Sequence, residues 1–202
     1  MKINKNTLQR FIFALTGDII CCFFCGLYSA TQIGMPDLNV FATGMAKILH
    51  ITLGQMTTIY SVVLLIISFL IDRKKIGIMT LISVFLNQYP IDIARSLYRP
   101  ITFYPLKLIF AVICMLIMFF GAAMMMAADV GVTIYDAFTL GITDRFHFPY
   151  LYVRWASDLS FLLVGFILGG DVGVGTVICF IIVGKVISFY REFLKEHVHF
   201  SE

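Results

Sequence analysis

The sequence predicts an all-α fold: a polytopic transmembrane helical bundle of about six spans, arranged as two inverted three-helix repeats, each with a short re-entrant or interfacial helix. Three observations predict it. The 202-residue chain is 60% hydrophobic and only 13% charged, with a mean hydropathy of +0.93, whereas a water-facing domain carries about 25% charged residues. Six segments approach the roughly 20 apolar residues that cross a bilayer. The first half of the chain also matches the second when shifted by 97 residues.

The first span, roughly 10–32, follows the basic segment MKINKNTLQR. No small-residue cleavage site stands out there, so the segment reads as a membrane helix and not as a removable signal peptide. The next piece, about 35–50, is too short and too polar to cross comfortably; a surface or re-entrant helix is expected. Spans follow at 54–71 and 76–98, the latter interrupted by Asn87, Gln88, Pro90 and Asp92. The second half repeats the order: a span at 107–129, a short piece at 133–147, and spans at 149–169 and 173–194. The expected organisation is one membrane domain, 1–202, with repeats at 10–98 and 107–195.

The shift of 97 residues places Ile12, Phe13 and Ala14 on Ile109, Phe110 and Ala111, and Gly34, Phe41, Gly44 and His50 on Gly131, Phe138, Gly141 and His147. After one residue of slippage, Gly77, Thr80 and Arg95 meet Gly173, Thr176 and Arg191. Apolar composition inflates such matches, but coincident Gly, His and Arg do not follow from it. Three spans per half would insert the second half upside down relative to the first. With the N-terminus in the cytoplasm, the inner segments hold Lys2, Lys5, Arg10, Arg73, Lys74, Lys75, Arg145, Arg191 and Lys195; the outer ones hold Lys47, Arg95, Arg99 and Lys107. The inner side carries more, which predicts a multi-pass membrane protein with both termini cytoplasmic.

Ionisable groups inside a membrane are expensive, so each needs a reason. Asp18 lies about two turns into the first span, and Arg154 and Asp158 are four apart in VRWASDLS, on one helix face. Lys185 sits about halfway along the last span. The functional reading is a substrate or ion site in which Arg154 and Lys185 meet an anion and the aspartates meet protons or cations. The alternative is a set of buried salt bridges that fix helix register, with Lys185 snorkelling. Asn39 and Asp136 occupy equivalent repeat positions at the starts of the short helices. They read either as N-caps or as ligand-facing groups at a central cavity.

The cysteines, Cys22–Cys25 included, lack the further ligands a zinc site needs and read as packing residues. His50 and His147 end the short helices, where an imidazole suits the macrodipole. No metal site, cofactor or catalytic residue is expected. The stretch GGDVGVGT lacks the Lys of a phosphate loop and the strand before it. It reads as a structural turn: Gly169 and Gly170 stop one helix, and Gly173, Gly175 and Thr176 let the next one start in close packing.

The second half thus runs Gly131–x–x–x–x–Asp136, Gly141, Arg154, then Gly169–Gly170–x–x–Gly173–x–Gly175–Thr176. Over nearly its whole length the chain resembles the YczE/YyaS/YitT-like bacterial integral membrane proteins, and the YczE branch most. It departs from the pattern at Ile134, where the family commonly has proline, and at Asn39, where the first half would have aspartate. The resemblance implies a polytopic protein of bacterial plasma membranes, with metabolite transport or an accessory role near biosynthetic systems as candidate activities.

Two functions follow as expectations. One is a small secondary transporter or channel for a small polar solute, with its site at the repeat interface. The other is a non-transporting accessory or regulatory membrane protein acting through a partner, its charges paired off with no room between them. A membrane enzyme ranks third, because no nucleophile–base pair or metal spacing occurs. The expected partners are the lipid bilayer, a small polar solute, and a second copy or another membrane protein; nucleic acid is not expected at a net charge of +3.

Overall fold

The computed structural model of the chain describes residues 5–71, 76–131 and 133–198. Among these residues all regular structure is helical: α1 Lys5–Ala30, α2 Asp37–Leu49, α3 Leu53–Ile71, α4 Ile78–Leu86, α5 Gln88–Leu97, α6 Tyr104–Ala128, α7 Ile134–Phe146, α8 Tyr150–Ile167 and α9 Val174–His197. Among the described residues three helices are long and apolar enough to cross a membrane: Thr7–Ala30 of α1, α3 and α6. A fourth qualifies if the two arms of α9, inclined at 46° between Val183 and Lys185, count as one span. The outer surface is strongly apolar, with Leu70, Ile78, Ile167 and Phe166 all well exposed. Lys2 and the Arg73–Lys75 run, which carry part of the orientation expectation, lie outside the described residues.

The break at the third predicted span has a local cause. Pro90 has no N–H to give to the Leu86 carbonyl four residues back, so the helical ladder fails there. Asn87, itself in helical dihedrals (φ −59°, ψ −31°), separates α4 from α5. Asp92, another of the interrupting residues, is used structurally. Its carboxylate accepts the Gly54 amide at 3.0 Å and the Thr52 hydroxyl at 2.5 Å, which ties the start of α3 to α5.

Helix bounds and backbone exceptions recur at the spacing read from the sequence. α2 and α7 start and stop 97 residues apart. Gln32 and Asp129 both have φ +55°, Gly34 and Gly131 have φ +134° and +142°, and His50 and His147 cap α2 and α7 in the left-handed region at φ +54° and +56°. Gly77 and Gly173 both stand at helix N-termini, and Thr80 and Thr176 each turn the side-chain oxygen back to that glycine's amide.

The halves interlock. α1 packs along α6, where Gly17 and Gly121 meet backbone to backbone: a Cβ on Gly17 would stand 2.7 Å from the Gly121 carbonyl oxygen. Only glycine allows such an approach. The short helix of each half packs on the third helix of the other, α2 on α8 and α7 on α3. The glycine corner 169–176 docks on the first half as well. Gly169, at φ +74°, ends α8. The Gly175 amide donates to the Ile33 carbonyl at 3.1 Å, and the Met35 amide donates to Thr176 Oγ1 at 3.0 Å. Lys47 Nζ reaches the Gly169 carbonyl at 2.9 Å and Asp171 Oδ1 at 2.5 Å.

Candidate functional site

A cavity of about 210 Å³ lies where the halves meet. Asp18 from α1, the starts of α2 (Pro36–Asn39) and α7 (Thr133–Tyr135), Thr57 and Ser61 from α3, and Arg154 from α8 all line it. The two short helices thus direct their N-terminal ends to the same interior space. Their C-terminal caps, His50 and His147, are exposed.

Arg154 organises the second-half wall. Its Nη1 lies 2.6 Å from Asp136 Oδ1, and its Nε 3.2 Å from Asp158 Oδ1. The guanidinium carbon stands 4.3 Å from the centre of the Tyr135 ring, in cation–π range, and the Tyr135 hydroxyl donates to Asp158 Oδ1. Asp136 is fixed a second time by the Thr133 hydroxyl, which donates to its Oδ2 at 2.7 Å. The i, i+4 pairing of Arg154 with Asp158 read from the sequence is therefore present, and Asp136 joins it.

The expected N-cap role of Asp136 and Asn39 needs correction. The chain stays extended to Thr133 and Pro36, so the helices begin at Ile134 and Asp37. Both residues sit at the third helical position. Thr133 does the capping in α7, where its Oγ1 accepts the Asp136 amide at 3.2 Å. Asn39 turns its amide to Cys25 Sγ, at 3.5 Å.

The expected four-member cluster is also smaller. Arg154 and Asp158 are together. Asp18, only 5% exposed, faces the cavity, and among the described residues its Oδ2 has no hydrogen-bond partner. Lys185 stands apart. Val183 and Ile187 line the cavity, and a residue two positions from each lies on the far side of the helix, so Lys185 is exposed.

Sequence reasoning missed Asp37, Tyr135 and Thr133, and passed over Asn87 as a mere interruption. Asp37 is the first residue of α2 and sits beside Asp158; burial, then that carboxylate, push its carboxyl up to about 7, against the pull of Arg154. A usable signal was the spacing of 97. Applied to Asp136, Arg154 and Asp158 it returns Asn39, Thr57 and Ser61, all three of which line the cavity. One wall thus has a charged triad backing it, and the other carries the same positions as neutral polar groups.

Similarity to known proteins runs the length of the chain. A Haemophilus influenzae protein is 26% identical over 198 residues, covering 96% of this chain and 87% of that relative. YyaS of Bacillus subtilis is 23% identical over 193 residues, covering 94% and 96%. The same organism's "uncharacterized membrane protein YczE" is 24% identical over 193 residues, covering 93% and 87%. The resemblance to YczE and YyaS read from the motifs thus stands. No solved structure matches. The family model for DUF6198, a family of unknown function, matches residues 8–192, and the chain belongs to that family.

Proposed function

We propose that this chain is a multi-pass membrane protein of six crossings, two inverted three-crossing halves, that passes a small polar solute through the cavity between them. The crossings are α1, α3, α4 with α5, α6, α8 and α9. The recurrence of helix bounds and positive-φ residues at one spacing supports the duplication, and an odd number of crossings per half inverts the second. The charged ends agree with that plan. Arg10, Asp129, Arg191 and Lys195 gather at one end, and Lys47, Asp92, Arg95 and Asp171 at the other. With the first end cytoplasmic, both termini are cytoplasmic, and α2 and α7 are re-entrant.

The observation that carries the transport reading is the cavity itself: it lies between the halves, its mostly apolar wall carries Asp18, Asp37, Asn39 and Asn87, and the starts of two half-length helices face it. Secondary transporters place their sites at such a junction. The test is solute flux into proteoliposomes, followed by stopped-flow light scattering over a panel of small cationic, anionic and neutral solutes. Flux above protein-free vesicles for at least one solute, lowered at least tenfold by Arg154→Ala, is expected. No flux for any solute overturns the reading.

The ion pairs of Arg154 favour a second reading, a static accessory protein, because a guanidinium held by two carboxylates also serves to lock helices together. In that case no solute permeates, and Arg154→Ala affects only stability.

A further inference from the structure

Resting on the transport reading, we infer that the cavity between the halves takes a small organic cation bearing N–H donors, with Asp18 as its anchoring carboxylate.

A site is complementary to its ligand in the hydrogen bonds it leaves open. Among the described residues three buried oxygens in the lining accept no hydrogen bond: Asp18 Oδ2, Asp37 Oδ2 and Asn87 Oδ1. Asp37, when protonated, can share its proton with Asp158 beside it; ionised, all three are open acceptors. They come from three places, the middle of α1, the start of α2 and the break between α4 and α5, so donors that satisfy them must reach more than one wall.

The charge balance points the same way. One guanidinium, Arg154, faces four carboxyl groups: Asp136 and Asp158 bonded to it, Asp37 beside Asp158, and Asp18 across the cavity. With one basic and four acidic groups around it, this desolvated space favours an added cation over an added anion. The N-terminal ends of α2 and α7 would by themselves draw an anion. Each already has its own carboxylate, Asp37 in the first position of α2 and Asp136 in the third of α7. An incoming anion would meet these groups as like charges.

Size and surface narrow the class. About 210 Å³ is below the roughly 300–1,000 Å³ of pockets that take drug-sized ligands, which suits a body of a few non-hydrogen atoms. Met118, Phe119 and Met125 line the same space. A short hydrocarbon portion packs against their apolar faces while its ammonium or amidinium end meets the oxygens.

The test is thermal unfolding of the purified full-length protein with methylammonium or ethylammonium chloride, against tetramethylammonium chloride, sodium acetate and acetamide at matched ionic strength. Methylammonium and ethylammonium are expected to stabilise saturably. Tetramethylammonium, a cation without N–H, is not. Asp18→Asn is expected to weaken the apparent affinity at least tenfold, and Glu192→Gln, on the exposed face of α9, leaves it unchanged. If Asp18→Asn does not fold, the ligand series decides alone. Equal stabilisation by tetramethylammonium overturns the N–H requirement, and stabilisation by acetate or acetamide in place of the ammonium probes overturns the cation. Flux in proteoliposomes with no ammonium effect also overturns the cation while leaving the transport reading intact; absence of all flux removes the transport reading instead.

Discussion

Arg154 Nη1 lies 2.6 Å from Asp136 Oδ1, while the corresponding positions of the first half, Thr57 and Asn39, carry no charge. The pair is therefore a feature of one half alone. Asp136 is 7% exposed at its side chain and Arg154 25%. Removing one partner of a buried pair costs ~3–5 kcal/mol because the other charge is stranded, and the partial exposure of Arg154 places Asp136→Asn near the lower end. Arg154→Lys should rescue poorly, since one ammonium cannot reproduce the guanidinium's contacts to Asp136, Asp158 and the Tyr135 face. Thermal unfolding of Arg154→Lys, Asp136→Asn and the double variant checks this. Additive losses would show that the two side chains are not coupled.

Thr176 is the joint between the glycine corner and the first half. Its Oγ1 accepts the amides of Met35 at 3.0 Å and Gly173 at 3.2 Å. Thr176→Val keeps the shape and strands both donors, so a loss of about 1–3 kcal/mol is expected, with Thr176→Ser near wild type. Chemical denaturation in micelles reads the difference. Equal stability of the valine and serine variants would remove the hydroxyl from the account.

Two glycines fail on substitution for different reasons. Gly17 is blocked by space, with the Gly121 carbonyl oxygen and Met124 Cβ each 2.7 Å from an added Cβ. Gly169 is blocked by its backbone, with nothing within 4 Å but φ at +74°. Alanine should cost ~1–3 kcal/mol at Gly17 through overpacking and ~1–2 kcal/mol at Gly169 through the left-handed conformation. Asparagine separates them, since it tolerates that conformation: Gly169→Asn should sit close to wild type, and Gly17→Asn should be worse than Gly17→Ala.

Helix identity and the recurrence of backbone features 97 residues apart were legible because they rest on composition and on rare residues at one spacing. Gly34 and Gly131, or His50 and His147, coincide in sequence and also in positive φ. Local chemistry was also legible: Arg154 and Asp158 four apart could only share a face. Less legible was what meets across the interface. Nothing in TGDIICC tells that Asp18 faces a space also lined by Asp37 and Asn87, because that depends on how α1 sits against α2 and the α4–α5 break. Lys185 failed for the opposite reason. Hydropathy places it in mid-helix but not on a side, and the inward stripe of α9 through Val183 and Ile187 puts it outside.

Binding of an organic cation should depend on pH through Asp37. The groups facing its carboxyl or sharing its cavity are Asp158 and Arg154 on α8, Tyr135 on α7, Tyr60 on α3 and Asp18 on α1. Burial and the Asp158 carboxylate raise Asp37 to about 7. Below that value the carboxyl is neutral and offers a cation no charge; above it the group is ionised. Affinity for methylammonium should therefore rise with pH and level off above pH 7, being roughly tenfold weaker at pH 6 than at pH 8 if the ionised form is required. The amine itself stays protonated across that window, so the dependence belongs to the protein. Asp37→Asn should make the profile shallower while keeping binding through Asp18, the second buried carboxyl of the same cavity. An unchanged slope in Asp37→Asn would move the titrating group elsewhere in the cavity, and tighter binding at pH 6 than at pH 8 would contradict a cation held by a buried carboxylate.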